Sequence, residues 1–127
     1  MKTEYIDIDS KWGVVICYDF DMLDADEMAA IMDSFGSTES SIRKSMPILL
    51  GTNTGMCISR SDLRMSVVFV GDASSSEQWW DTLEHELYHV ASAVCEYYGA
   101  PHGGEDFAWT VGYLTRRAVE LFGRPCR

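Results

Sequence analysis

The feature that most constrains the fold is a long segment, from about Ser76 to Tyr98, in which apolar residues recur with the period of an α-helix. At about 100° per residue, the large apolar side chains fall on one side of this helix, namely Trp80, Leu83, Leu87, Val90 and Val94. His85 and His89 fall nearly opposite, among polar residues. A helix that is apolar on one side must cover a core that other elements supply. We therefore expect the chain to fold around this helix, with the histidines turned away from the core.

Strands and a second long helix complete the predicted core. Residues 11–20 are rich in β-branched and aromatic residues and are predicted to form a strand buried on both faces, whereas residues 55–60 and 64–71 are predicted to form a β-hairpin. A second amphipathic helix is predicted from about Glu105 to Phe122. Its apolar side is formed by Phe107, Val111, Leu114, Ala118 and Leu121.

Two shorter helices are predicted between the first strand and the hairpin. Asp24 and Glu27 have the spacing of a capping box, helical periodicity follows them, and Gly36 ends the segment. Residues 37–46 are predicted to form a polar helix that ends at Pro47. A chain of 127 residues is long enough for one core. The elements together predict a single α+β domain over residues 1–127, with a small, largely antiparallel sheet.

The charge of the chain excludes some classes of partner. The net charge is −10, and residues 1–40 hold ten of the 20 acidic residues but only two of the 10 basic ones. Such a surface repels phosphate backbones, so we expect no nucleic-acid partner. An acidic first third is typical of a solvated surface, and it could also meet a basic partner protein.

Cysteine spacing and hydropathy bear on the compartment. Cys17, Cys57, Cys95 and Cys126 form no CxxC pair that would suggest a thiolate zinc site or a redox couple, and their long spacings favour reduced thiols over disulfides. The N-terminal residues lack the apolar core of a secretory signal, and no run approaches the ~18 apolar residues of a membrane span. We therefore expect a cytoplasmic protein that does not cross a membrane.

Residues 85–89 read HELYH, in a chain with only 3 His. Side chains four apart on a helix are neighbours, so the imidazoles of His85 and His89 can reach one ion. Zinc bound at ~2.0–2.1 Å from each nitrogen suits this spacing. Glu86 lies beside such an ion, where its carboxylate can accept a proton from an activated water. The motif therefore predicts a zinc site with Glu86 as general base.

A catalytic zinc usually takes three protein ligands and leaves one position open. We expect the third ligand to be Glu105, which opens the last helix and can return to the metal through the preceding loop. Ala108 and Gly112 share a side with Glu105, and small residues there would let the two long helices approach closely. His102 and Asp106 are the alternatives.

The segment "TLEHELYHVASAVCEYYGAPHGGEDFAWTVGYL" resembles the active-site region of minimal zincin metallopeptidases of the gluzincin type, in which HExxH is followed by Glu on the next helix. It is especially similar to small phage and prophage proteins that carry HExxH, a Gly-containing loop and then ExxA. The resemblance covers about residues 76–114 and implies a zincin-like fold, with His85, His89 and Glu105 as zinc ligands and Glu86 as general base. The His89-to-Glu105 interval is shorter than in large gluzincins.

The resemblance implies a zinc metallopeptidase that hydrolyses a peptide bond in a protein or peptide. In such enzymes a strand near the active-site helix holds extended substrate by β-augmentation, and here residues 55–60 or 65–70 would be that strand. The alternative is a non-enzymatic binding protein, such as a phage-type modulator or inhibitor, that presents its acidic first third to a partner. The sequence leaves the substrate and the oligomeric state open.

Overall fold

A four-stranded sheet lies in the middle of the fold, with a pair of helices on each face. The computed structural model describes residues 1–123. The strands are β1 (Lys2–Ile8), β2 (Trp12–Tyr18), β3 (Gly55–Arg60) and β4 (Met65–Val70). The helices are α1 (Ala25–Ser34), α2 (Glu39–Leu49), α3 (Ser76–Tyr97) and α4 (Glu105–Phe122), and a short 3₁₀ turn (Met22–Asp24) precedes α1.

The sheet is mixed and has the strand order β1-β2-β4-β3. β1 pairs antiparallel with β2, and β3 pairs antiparallel with β4, whereas the central strands β2 and β4 are parallel. The parallel pair arises because α1 and α2 return the chain across one face of the sheet before the hairpin begins. The α+β class and the β3–β4 hairpin are therefore confirmed, and β3 lies at an edge of the sheet while β4 lies inside it.

The two central strands are buried on both faces, as predicted for β2. Successive side chains of a strand point to opposite faces, so each central strand serves two cores. The core under α3 and α4 contains Val14, Ile16, Val68 and Val70. The core under α1 and α2 contains Cys17, Val67 and Phe69, packed with Met28, Met32 and Leu49.

Strand β1 was not predicted. Its inward side chains, Ile6 and Ile8, are buried, while the residues between and before them are polar or exposed. This alternation over a short segment was the available signal. The turn to β2 places Asp9 and Ser10 at positive φ, and Tyr5 and Asp7, which alternate with the buried positions of β1, are exposed.

The predicted capping box at Asp24 and Glu27 is wrong. The capping box lies one turn earlier, where the Asp21 carboxylate accepts from the Leu23 N–H and the Asp24 carboxylate accepts from the Asp21 N–H. Asp24 makes no capping hydrogen bond to α1. The 3₁₀ turn takes up the residues that were expected to begin the helix, and Gly36 follows α1 with a φ of +88°, as the predicted stop requires.

The predicted end of the second helix is also wrong. Helix α2 begins after Thr38, whose hydroxyl accepts from the Ser41 N–H, and it continues through Pro47 to Leu49. Leu49 is buried in the core under α1 and α2. Burial of this side chain stabilises a last turn that proline alone would disfavour.

None of the helices within residues 1–123 is long and apolar enough to cross a membrane. In the same range Cys17, Cys57 and Cys95 are free thiols, in agreement with the expectation of reduced cysteines. Cys126 lies outside the described residues.

Candidate metal centre

Helix α3 presents the predicted faces. Ser75 caps it by accepting from the Gln78 N–H, and the five large apolar residues named above are buried in the core. His85 and His89 lie on the exposed side, and the His85 side chain is 69% exposed. The helix thus places both imidazoles on a surface that is open to solvent.

The two imidazoles converge. Nε2 of His85 and Nε2 of His89 lie 3.2 Å apart, and one ring N–H donates to the other ring nitrogen. Two nitrogens at this separation of 3.2 Å, each bound at ~2.05 Å, would subtend about 100° at a shared ion, close to the tetrahedral angle that zinc adopts. The histidine pair therefore fits one zinc ion without rearrangement of the helix.

Glu86 is buried although it lies on a helix next to exposed histidines. It is 6% exposed, and its carboxylate oxygen Oε1 lies 3.9 Å from Nε2 of His85. Burial raises the pKa of the Glu86 carboxyl above its ordinary value, and the neighbouring His85 and His89 act in the opposite direction. A carboxylate in this setting accepts a proton more readily than an exposed glutamate does.

Gly55 makes the room that Glu86 occupies. A Cβ at Gly55 would lie 2.7 Å from Cγ2 of Thr82, 3.0 Å from the Phe69 carbonyl oxygen and 3.1 Å from Cγ of Glu86. The glycine thus allows edge strand β3 to lie directly against α3. The sequence predicts the strand but not this role of Gly55, for which the only signal was a glycine at the start of an otherwise typical strand.

Open grooves adjoin the histidines on both sides. One, of about 360 Å³, lies between the end of α2, the start of β3 and α3, and it is lined by Thr54, Gly55, Thr82, His85 and Glu86 among others. A second, of about 510 Å³, is lined by Asp81, Glu84, His85, Tyr88 and His89. His85 lines both grooves and His89 lines the second, so a molecule in either groove would contact at least one of the two histidines.

The charge of Glu86 also influences the pKa of the Cys57 thiol on β3. Burial raises the pKa of the Cys57 thiol to about 12, the Ser59 hydroxyl lowers it, and the charge of Glu86 raises it further. Ser59 in turn shares a 2.7 Å hydrogen bond with Ser66, which accepts from the Trp12 indole N–H at 2.9 Å. This chain of side chains connects the edge strand to the centre of the sheet, and it was not identified from the sequence.

His102 lies against the polar side of α3. Its Nε2 is 3.2 Å from the Ser92 hydroxyl and 3.4 Å from the Tyr88 hydroxyl, and its ring lies 4.7 Å from that of Phe107. Ser92 is three residues beyond His89, which places it next to that histidine on the helix. The loop between α3 and α4 therefore carries His102 to the neighbourhood of the histidine pair.

Glu105 lies on another surface. It lines an open groove on the outer side of α4 together with Ala108, Trp109 and Gly112, and a Cβ at Gly112 would meet nothing within 4 Å. The expectation that Ala108 and Gly112 pack closely against α3 is therefore wrong. The opposite side of α4, with Phe107, Leu114 and Ala118, is the buried one, and the helix can turn only one side to the core.

The structure thus brings together His85, Glu86 and His89, and His102 contacts Tyr88 and Ser92 of the same helix. Asp106 is exposed in the first turn of α4. Within residues 1–123 no three His, Cys, Asp or Glu side chains are grouped closely enough to hold an ion by themselves. His85 and His89 are therefore a pair of possible ligands with a buried carboxylate next to them, and the segment 102–106 lies outside this group.

In comparisons with known proteins, no family model, no curated protein and no solved structure matches this chain.

Proposed function

We propose that this protein is a zinc-dependent peptidase of the zincin type that hydrolyses a peptide bond in a cytoplasmic protein or peptide. The observation that carries the proposal is the 3.2 Å separation of the two Nε2 atoms beside a carboxylate that is 6% exposed. Two neutral imidazoles are ordinary zinc ligands, and a partly desolvated carboxylate next to them is suited to accept and return a proton.

Zinc held by His85 and His89 would polarise the scissile carbonyl and activate a water molecule as the nucleophile. Glu86 accepts the proton that the water gives up and then transfers it to the leaving amine. Its burial partly desolvates the carboxylate, and Gly55 on β3 leaves the space that the Glu86 side chain occupies.

The third protein ligand has three candidates, namely Glu105, His102 and Asp106. Glu105 is the residue that the resemblance implies, and its approach would require the start of α4 to turn toward α3. His102 already lies 3.2 Å from Ser92, one turn beyond His89, so it has the shorter distance to cover. Alanine variants of His102, Glu105 and Asp106 distinguish the three.

Edge strand β3 is the proposed substrate-binding strand. Of the two strands considered from the sequence, β4 is paired on both sides and β3 on one. An extended peptide that adds to the open edge of β3 would run along the groove lined by Thr54, Gly55 and His85. Its backbone would then pass beside the histidine pair, as hydrolysis requires.

The test is hydrolysis of a peptide library by zinc-loaded protein and by Glu86→Gln. The amide of glutamine fits the same space but cannot accept a proton, so turnover should fall by about 10²–10⁴-fold while zinc content stays unchanged. Glu96→Gln is the matched control, because Glu96 is an exposed glutamate on the same helix.

Equal turnover in Glu86→Gln and the parent would exclude Glu86 as the base. Zinc binding by the parent without hydrolysis of any library member would instead favour the binding protein, whose acidic residues 1–40 would meet a basic partner.

A further inference from the structure

The outer side of α4 forms a second surface with no part in the proposed metal centre apart from Glu105. Its groove of about 500 Å³ is lined by Glu105, Ala108, Trp109, Gly112, Tyr113 and Arg116. Trp109 is 72% exposed, and the Arg116 guanidinium lies 5.4 Å from the centre of the Tyr113 ring. The six residues have helical spacing and so form one continuous stripe.

Within residues 1–123, neither the backbone conformation nor the packing requires a glycine at position 112. Its φ is not in the left-handed region, and an added Cβ would meet nothing within 4 Å. Glycine destabilises a helix interior relative to alanine, so a glycine here is unfavourable for the single chain. A backbone or a large side chain that approaches closely from outside gives it a reason.

The stripe is complementary to itself. Glu105 and Arg116 stand at its two ends, and Trp109 and Gly112 lie symmetrically about its centre. When two such helices pair antiparallel around a twofold axis, Arg116 of one copy meets the acidic first turn of the other. Trp109 of one copy then lies at the level of Gly112 of the other, where the missing side chain leaves room for an indole.

We propose that this surface binds a second copy of the chain, so that the protein is a twofold dimer held by antiparallel α4 helices. A twofold interface uses the same patch on both partners, and each contact occurs twice. The first turn of α4 carries Glu105 and Asp106, so Arg116 retains a carboxylate partner whichever of the two residues binds metal. The arrangement leaves the histidines of α3, on a different helix, open to substrate.

The first experiment is sedimentation velocity of the full chain and of Gly112→Glu at about 150 mM salt, where the Debye length is ~8 Å and the net charges of the two copies are largely screened. The parent should sediment as a dimer and the variant as a monomer. Because a side chain at Gly112 has open space within the chain and glycine disfavours a helix interior, the variant should unfold at a thermal midpoint no lower than that of the dilute parent. Ala30→Glu, at an exposed position of α1 on the other face of the sheet, is the matched control and should remain a dimer.

The second experiment tests the antiparallel register by charge exchange. Arg116→Glu places acid against acid in its own dimer, and Glu105→Arg places base against base, so each alone should dimerise more weakly than the parent. An equimolar mixture should form a heterodimer, in which both contacts pair opposite charges. A parent that is monomeric over the whole accessible concentration range, or a Gly112→Glu variant that remains dimeric, would overturn the proposal. So would a mixture that stays monomeric. The outcomes for the parent and for Gly112→Glu do not depend on zinc or on hydrolysis.

Discussion

The polar side of α3 and the outer side of α4 were both expected to supply ligands to one metal ion. In the structure the two histidines of α3 lie together, whereas Glu105 of α4 lies on a different surface. On α3 the spacing of His85 and His89 within one helix is set by local geometry, and their nitrogens converge at 3.2 Å. On α4 the position of Glu105 depends on which side of the helix faces the core. The difference shows that spacing within an element is predicted well, whereas approach between elements is decided by packing.

The largest effect that can sharpen this comparison is on zinc affinity. We expect His102→Ala and Glu105→Ala to differ in zinc affinity. Removal of a residue that binds zinc should weaken the affinity by more than the ~10–100-fold typical of outer-shell partners, whereas removal of a residue that does not bind zinc should not. Competition titration with a chromophoric chelator measures both affinities. Asp106→Ala is the matched variant in the same turn. A zinc affinity equal to that of the parent in all three variants would mean that zinc takes no ligand from the segment 102–106.

A smaller effect is expected at the contact between α3 and β3. Gly55→Ala places a Cβ 2.7 Å from Cγ2 of Thr82 and 3.0 Å from the Phe69 carbonyl oxygen, so α3 must move away from the strand. Overpacking of this kind destabilises a fold by ~1–3 kcal/mol, and it should also shift Glu86. The free energy of unfolding from denaturant titration, together with turnover, checks both consequences. Unchanged values would show that the helix and the strand are not in tight contact.

The smallest effect is expected at Gly112, a glycine in the interior of α4. Gly112→Ala adds a Cβ in open space, and alanine favours a helix interior over glycine by up to ~1 kcal/mol. Denaturant titration of the dilute monomer should therefore show a stability gain, opposite in sign to that of Gly55→Ala. A loss of stability in the monomer would place Gly112 in a packed environment and restore the expected close approach of the two helices.

Much of the architecture followed from periodicity. The sequence predicted the β3–β4 hairpin, β2, α3 and α4, whose apolar residues repeat over long enough segments to identify the element and its buried side. β1 was missed because only Ile6 and Ile8 point inward. The end of α2 was misplaced because burial of Leu49 outweighs the local effect of Pro47.

For the candidate site, too, the sequence predicted what lies within one element. His85, Glu86 and His89 belong to one turn and a half of a single helix, so their proximity could be inferred from the sequence. The burial of Glu86 depends on Gly55, and the position of His102 depends on Tyr88 and Ser92. These contacts join elements distant along the chain, and no pattern within one element encodes them.

The most direct test of the account is zinc content, measured by mass spectrometry on protein purified without chelators or nickel affinity. The parent should carry about one zinc per chain, and the double variant His85→Ala, His89→Ala should carry almost none, because both imidazole ligands are removed. Circular dichroism should show that the variant retains its helices, since both side chains are exposed. Equal zinc content in the folded parent and the folded double variant would contradict the central claim that the HELYH helix binds the metal.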